Sequence, residues 1–158
     1  MKKIFFILLL TVVMQKAFSQ EQSVYGNQTA VNVLYGTLGF QPGEFFFPLT
    51  LNFERTVYDV DFVKFNIRAG FGFWIDWTEK GIDIPVSGQV VFFKKSLHPE
   101  IGIGAKYIYD FGNNMTGLSH LLNIACRYQK TDGDFMFKIG IEKDTYVFYP
   151  FFSAGYAF

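Results

Sequence analysis

Residues 63–75 read VKFNIRAGFGFWI, and the two parities of this stretch differ in chemistry. Odd positions carry Val63, Phe65, Ile67, Ala69, Phe71, Phe73 and Ile75, while even positions carry Lys64, Asn66, Arg68, Gly70, Gly72 and Trp74. A period of two places alternate side chains on opposite faces of a β-strand. The split recurs along the chain. Leu49, Leu51 and Phe53 oppose Thr50, Asn52 and Glu54, and Ile101, Ile103, Ala105, Tyr107 and Tyr109 oppose Glu100, Gly102, Gly104 and Lys106. Leu122, Ile124, Cys126 and Tyr128 oppose Asn123, Ala125, Arg127 and Gln129. Phe135, Phe137, Ile139 and Ile141 oppose Met136, Lys138, Gly140 and Glu142.

Residues 84–92 repeat the pattern more weakly, with Ile84, Val86, Val90 and Phe92 on the apolar face and Gly88 interrupting it. In residues 30–39 the expected apolar face is Val31, Val33 and Tyr35, against Asn32 and Gly36. The terminal stretch FFSAGYAF adds a strand with Phe152, Ala154, Tyr156 and Phe158 on one face. These are eight strands, an even number suited to a closed antiparallel barrel. The expected fold is all-β, an eight-stranded antiparallel up-and-down transmembrane β-barrel over 30–158, after a signal peptide at 1–19 and a short periplasmic lead at 20–29. Tight turns are expected at 94–97 and 130–133 and a looser one at 57–61, with longer external loops at 40–47 and 110–119 and a short one at 76–81. Both ends of the barrel then lie on the periplasmic side.

Alternation alone fits a soluble lipocalin-like barrel equally well, with the apolar face turned inward around a ligand. Three features favour the membrane. The apolar faces carry no charge, as hydrocarbon demands, because a mid-bilayer Lys or Arg costs roughly 2–4 kcal/mol. The polar faces mix charges with glycines, which make room for long neighbours inside a narrow barrel. Aromatics gather in two girdles: Trp74, Trp77, Tyr107, Tyr109 and Tyr149 outside, and Tyr58, Phe62, Phe92, Tyr128, Phe135 and Phe158 toward the periplasm.

Composition agrees. Half of the 158 residues are hydrophobic, 20% are aromatic and 18% are charged, against about 25% charged in soluble chains. The zero net charge argues against a nucleic-acid partner. Lys2 and Lys3, the apolar run from Ile4 to Val13 and the small-x-small Ala17-Phe18-Ser19 form a cleavable secretion signal, with a mature start near Gln20. Cys126 is the only cysteine, so an intramolecular disulfide is excluded, and its distance from the cleavage site excludes a lipoprotein anchor.

The strand motifs carry a resemblance. LNFER at 51–55, IRAGFGFW at 67–74, EIGIGAKY at 100–107, RYQKTDGDFMFKIGI at 127–141 and the terminal SAGYAF resemble a recurring pattern in small outer-membrane β-barrel proteins of Gram-negative bacteria, eight-stranded and of OmpX or OmpA barrel size. Phe151 and Lys138 depart from it, where Trp and Arg are usual. The resemblance implies an outer-membrane location, outer-membrane lipid as surroundings and no assigned chemistry. It also implies that Phe152, Ala154, Tyr156 and Phe158 form a C-terminal assembly signal read by the barrel-insertion machinery. No oligomeric state follows from it.

Candidate chemistry lies mainly on the polar faces. Glu54, Glu100 and Glu142 face Lys64, Arg68, Lys106, Arg127 and Lys138, an expected lumen charge network. If the turn covers 55–62, Glu54 falls close to opposite Lys64, and Arg68 is positioned to meet Glu100 across the lumen. A proton or small-ion path is the alternative use of these charges. No catalytic residue, metal ligand or cofactor site is expected. The rival class is an outer-membrane enzyme acting on lipid A or phospholipid, since some small barrels of this size use a His with Ser and an acid. Here Ser119-His120 is the candidate pair, near Asp110, but neighbours in a strand point to opposite faces. His98 reads as a polar girdle residue. Neither Asp110, Asn113 and Asn114 nor Asp76, Glu79 and Asp83 has EF-hand spacing. GIGIG is strand alternation, not a nucleotide loop, and Phe45, Phe46 and Phe47 form a girdle or a contact patch.

Overall fold

A computed structural model describes residues 32–41, 45–60, 62–92, 96–129, 134–145 and 147–158. The leader, the lead segment and the turn residues 93–95 and 130–133 lie outside these described residues. Eight strands run in chain order: β1 Asn32–Gly39, β2 Phe47–Val60, β3 Val63–Ile75, β4 Lys80–Phe92, β5 Leu97–Asp110, β6 Met115–Gln129, β7 Phe135–Lys143 and β8 Phe148–Ala157. Each pairs antiparallel with the next, and β8 closes on β1, with Val33 opposite Ala157 and Gly39 opposite Phe151. Closure gives the backbone groups of both end strands a partner, which removes the free sheet edges.

The two faces divide by parity as alternation demands. Outward positions expose Leu49, Leu51, Phe71, Ile103, Ile139 and many like them, whereas inward positions bury Asn52, Glu54, Arg68, Glu100 and Lys138. This inverts the usual arrangement of a water-soluble sheet protein. On the terminal strand Phe152, Ala154, Tyr156 and Phe158 point outward and Phe151, Ser153 and Ala157 inward.

Four boundaries or orientations differ from the sequence expectation. In β1 the lumenal residues are Val33, Tyr35 and Thr37, and the outward ones are Leu34 and Leu38. Both parities of β1 carry large apolar residues, so alternation gave no discrimination there. β2 continues to Val60, with a bulge between Thr56 and Tyr58, through the segment expected to turn. β6 begins at Met115, so the link from β5 is only the turn 111–114, where Asn114 takes a φ of 50°. Asn is one of the few residues that tolerates this left-handed conformation. Finally, Trp74 and Tyr149 lie in the lumen, not in an outward girdle.

Candidate functional site: a two-tier charge network in the lumen

The lumen holds two groups of ion pairs. The first lies toward the end that carries Asn32 and Phe158. Glu54 from β2, Glu100 from β5, Arg127 from β6 and Lys138 from β7 converge there, between 0% and 4% exposed. Arg127 donates from Nε (2.9 Å) and Nη2 (2.7 Å) to Glu100 Oε2, and also from Nη2 to Glu54 Oε1. Lys138 Nζ donates to Glu54 Oε2 at 2.8 Å and to Glu100 Oε1 at 2.9 Å. Its ammonium stands 4.5 Å from the centre of the Tyr35 ring, a cation–π contact. Asn66 Nδ2 completes Glu54 at 2.8 Å. Two carboxylates thus meet two cations, a neutral set in which each charge has more than one partner.

The second group lies toward the opposite end. Arg68 Nη2 and Glu142 Oε2 are 3.0 Å apart. Lys106 Nζ lies 3.3 Å from Glu142, 3.2 Å from Asp144 and 3.8 Å from Asp83, and it donates to the Tyr149 hydroxyl at 3.1 Å. Tyr149 in turn donates to Glu142. Between the groups, Asn52 donates to Thr37 at 3.0 Å, and the Thr37 and Ser153 hydroxyls meet at 2.8 Å. Above the second group Phe46 packs 6.0 Å from Trp74 and 5.8 Å from Tyr149, ring centre to ring centre, as an aromatic plug.

Glycine makes the second group possible. A Cβ at Gly72 would overlap the Asp83 carboxylate and stand 2.8 Å from Thr50 Oγ1. A Cβ at Gly104 would overlap the Val86 carbonyl and stand 2.6 Å from Ser87 Cα, so β4 and β5 could not keep their approach. Removing desolvated charges from water costs several kcal/mol per ion, and mutual attraction offsets this only when every partner is in place. Eight strands leave an interior just wide enough for its side chains, and the four charges of the first group are all paired, whereas Arg68 Nε, Asp83 Oδ1 and the Asn123 side-chain amide find no hydrogen-bond partner among the described residues.

Two expected pairings are corrected. Because β2 runs on to Val60, Glu54 stands opposite Arg68 in the ladder and Asp59 stands opposite Lys64. Lys64 is 3.8 Å from Asp59 near the end of the barrel and forms no ion pair with Glu54. Arg68 meets Glu142, while Glu100 meets Arg127 and Lys138. Sequence reasoning did not include Tyr35, Asp83, Asp144 and Tyr149 in the network. The parity of Asp83 within β4 could have found it, opposite the outward Ile82 and Ile84. Tyr35 followed from the inverted face of β1.

His98 is also lumenal, with Nε2 3.4 Å from the Gln129 carbonyl oxygen, and is not a girdle residue. It lines a pocket of about 20 Å³ with Thr56, Lys64, Asn66 and Arg127, room for roughly one water. At the other end, Asp110, Glu79 and Asn113 tie two hairpin turns together: Asn113 Nδ2 donates to Glu79 at 2.8 Å and to Asp110 at 2.7 Å. Among the described residues no group of three or more His, Cys, Asp or Glu is arranged to hold a metal ion. Ser119 is lumenal and His120 outward, yet both touch Thr145, whose Oγ1 lies 2.9 Å from Ser119 Oγ and 3.0 Å from His120 Nδ1.

The fold is similar to several solved structures. A de novo designed transmembrane β-barrel superposes with a TM-score of 0.56 at 11% identity, over 84% of this chain and 97% of that one. The N-terminal β-barrel domain of Pseudomonas aeruginosa OprF gives 0.57 at 14% identity, over 83% and 98%. The outer-membrane enzyme PagL gives 0.52 at 11% identity, over 79% and 97%. No protein-family model and no curated protein matches the chain. The likeness to small outer-membrane barrels is one of fold. A designed chain and an enzyme share that fold, so it carries no chemistry by itself.

Proposed function

We propose that the chain is an integral outer-membrane barrel with an occluded lumen, acting as a structural or interaction protein, neither pore nor enzyme. The observation that carries this reading is the paired lumen: both tiers span the interior, strand to opposite strand, under an aromatic plug. An outward surface of Leu, Ile, Val and Phe far exceeds the few hundred Å² of apolar patch that a water-soluble monomer tolerates. This supports hydrocarbon as its surroundings. Export through a cleaved leader, with a mature start near Gln20, would deliver it from a Gram-negative cytoplasm. The barrel ends at Asn32 and Phe158 then face the periplasm, and the turns at 76–79 and 111–114 and residues Asp144 and Thr145 the outside. Phe152, Ala154, Tyr156 and Phe158 present an aromatic-ended outward face suited to the insertion machinery.

In planar bilayers the refolded protein should give no steady conductance steps, and reproducible single-channel steps would overturn the sealed lumen. A lipid-modifying enzyme is the second reading, favoured by the Thr145–His120 contact. His120→Ala should leave lipid A and phospholipid composition unchanged; an altered acyl pattern would favour the enzyme.

A further inference from the structure

Outward positions near the external rim of β6 and β7 break the apolar rule. His120 on β6 and Lys143 on β7 both face outward. Leu122 stands opposite Lys143 in the ladder, so His120 is a diagonal neighbour of Lys143, typically about 7–8 Å away. Among the described residues Lys143 has no acidic partner. Around the pair the wall is apolar: Leu118 is 76% exposed, with Leu122, Ile141 and Phe148 also exposed. Lys80, the rim lysine of β4, directly follows Glu79 in the chain, and Asn113 joins Glu79 to Asp110.

The hydroxyls of Ser119 and Thr145 lie behind His120. The Thr145 backbone N–H donates to Ser119 Oγ at 2.8 Å, and the single Ser119 hydroxyl proton is within reach of both Thr145 Oγ1 (2.9 Å) and the His120 carbonyl oxygen (3.1 Å). Thr145 Oγ1 lies 3.0 Å from His120 Nδ1 and is able to donate its proton there. A neutral imidazole whose Nδ1 accepts carries its proton on Nε2, and an imidazolium carries one there too. With the Thr145 hydroxyl donating to Nδ1, Nε2 is a donor in both states, beside an unpaired ammonium and above an apolar wall.

From this juxtaposition we propose that His120 and Lys143 bind the phosphate headgroup of an outer-leaflet lipid whose acyl chains lie along β6 and β7. The inference rests on the outer-membrane reading above. Charge complementarity selects the occupant: one cation and one neutral donor suit a phosphate oxygen pair, and only a phosphate attached to acyl chains uses Leu118, Leu122 and Ile141 as well. The site binds and does not turn over, because Ser119 points into the lumen while His120 and Lys143 face outward.

The test uses native mass spectrometry of the refolded mature chain, released from nanodiscs of phosphatidylcholine with a minor fraction of phosphatidic acid. Wild type should retain phosphatidic acid over phosphatidylcholine. Lys143→Gln and His120→Gln should each lower that retention several-fold, roughly fivefold for the lysine charge, while Lys80→Gln leaves it unchanged. Inorganic phosphate in excess should not displace the lipid; displacement by phosphate alone would show an anion site without a lipid. Equal retention by wild type and Lys143→Gln would overturn the proposal, as would retained lipid that has lost an acyl chain. A chain that fails to form a gel-shifted barrel in nanodiscs would refute the membrane reading instead, so the two failures are distinguishable.

Discussion

Replacing Arg127 by Met removes the cation that joins Glu54 and Glu100, leaving both carboxylates to share Lys138 at 2.8 and 2.9 Å. Met is close to Arg in volume although it ends short of the guanidinium, so the electrostatic term dominates. Breaking a buried pair costs about 3–5 kcal/mol, because a desolvated charge is left uncompensated. Glu100→Gln alone leaves the opposite excess and should cost a similar amount. The double variant retains one carboxylate and one ammonium, Glu54 and Lys138, and is neutral again. Its cost should fall to about 1–2 kcal/mol, giving a favourable coupling of several kcal/mol in the double-mutant cycle. Urea titration of the barrel in lipid vesicles, read by tryptophan fluorescence and by the unboiled gel band, measures all four proteins. The m-value should stay constant, since each barrel buries the same surface. An Arg127→Met variant within about 1 kcal/mol of wild type, or a double variant equal to the sum of the singles, would refute the paired-lumen reasoning.

Other substitutions probe separate elements. Gly104→Val should prevent assembly, because its Cβ overlaps the Val86 carbonyl, whereas Gly88→Ala, with nothing within 4 Å of the added atom, should refold with wild-type yield; both are read from the folded gel band. Tyr149→Phe removes the hydroxyl between Lys106 and Glu142 and should cost about 1–3 kcal/mol in urea unfolding, with strand content unchanged by circular dichroism. Phe158→Ala should lower the amount of barrel recovered in the outer membrane of cells while leaving refolding in detergent intact, as expected for an assembly signal and not for a packing residue.

The strand count, the antiparallel order and the outward face of β3, β5, β6, β7 and β8 were all legible in the sequence, because period-two patterning acts residue by residue. β1 was not, since Val33 and Leu34 are equally apolar and only the ladder with β2 and β8 decides which faces in. Partners across the lumen were illegible for a different reason. Glu54 and Lys138 are 84 positions apart, and their meeting depends on registers set by turns that sequence locates only to within a few residues. Moving the end of β2 to Val60 was enough to exchange Lys64 for Arg68 opposite Glu54. Trp74 was assigned to the outward girdle by its residue type, although its even parity already placed it with Arg68 and Gly72 in the lumen.

The most direct test of the account is heat-modifiability. The chain from Gln20 would be refolded in detergent and run on a gel with and without boiling, with circular dichroism alongside. A strand-rich spectrum and a shifted unboiled band are predicted, because a closed barrel resists the gel detergent until heat opens the β1–β8 seam. A chain that stays soluble without detergent and shows no shift would contradict it, and would make the aromatic face the lining of a ligand cavity.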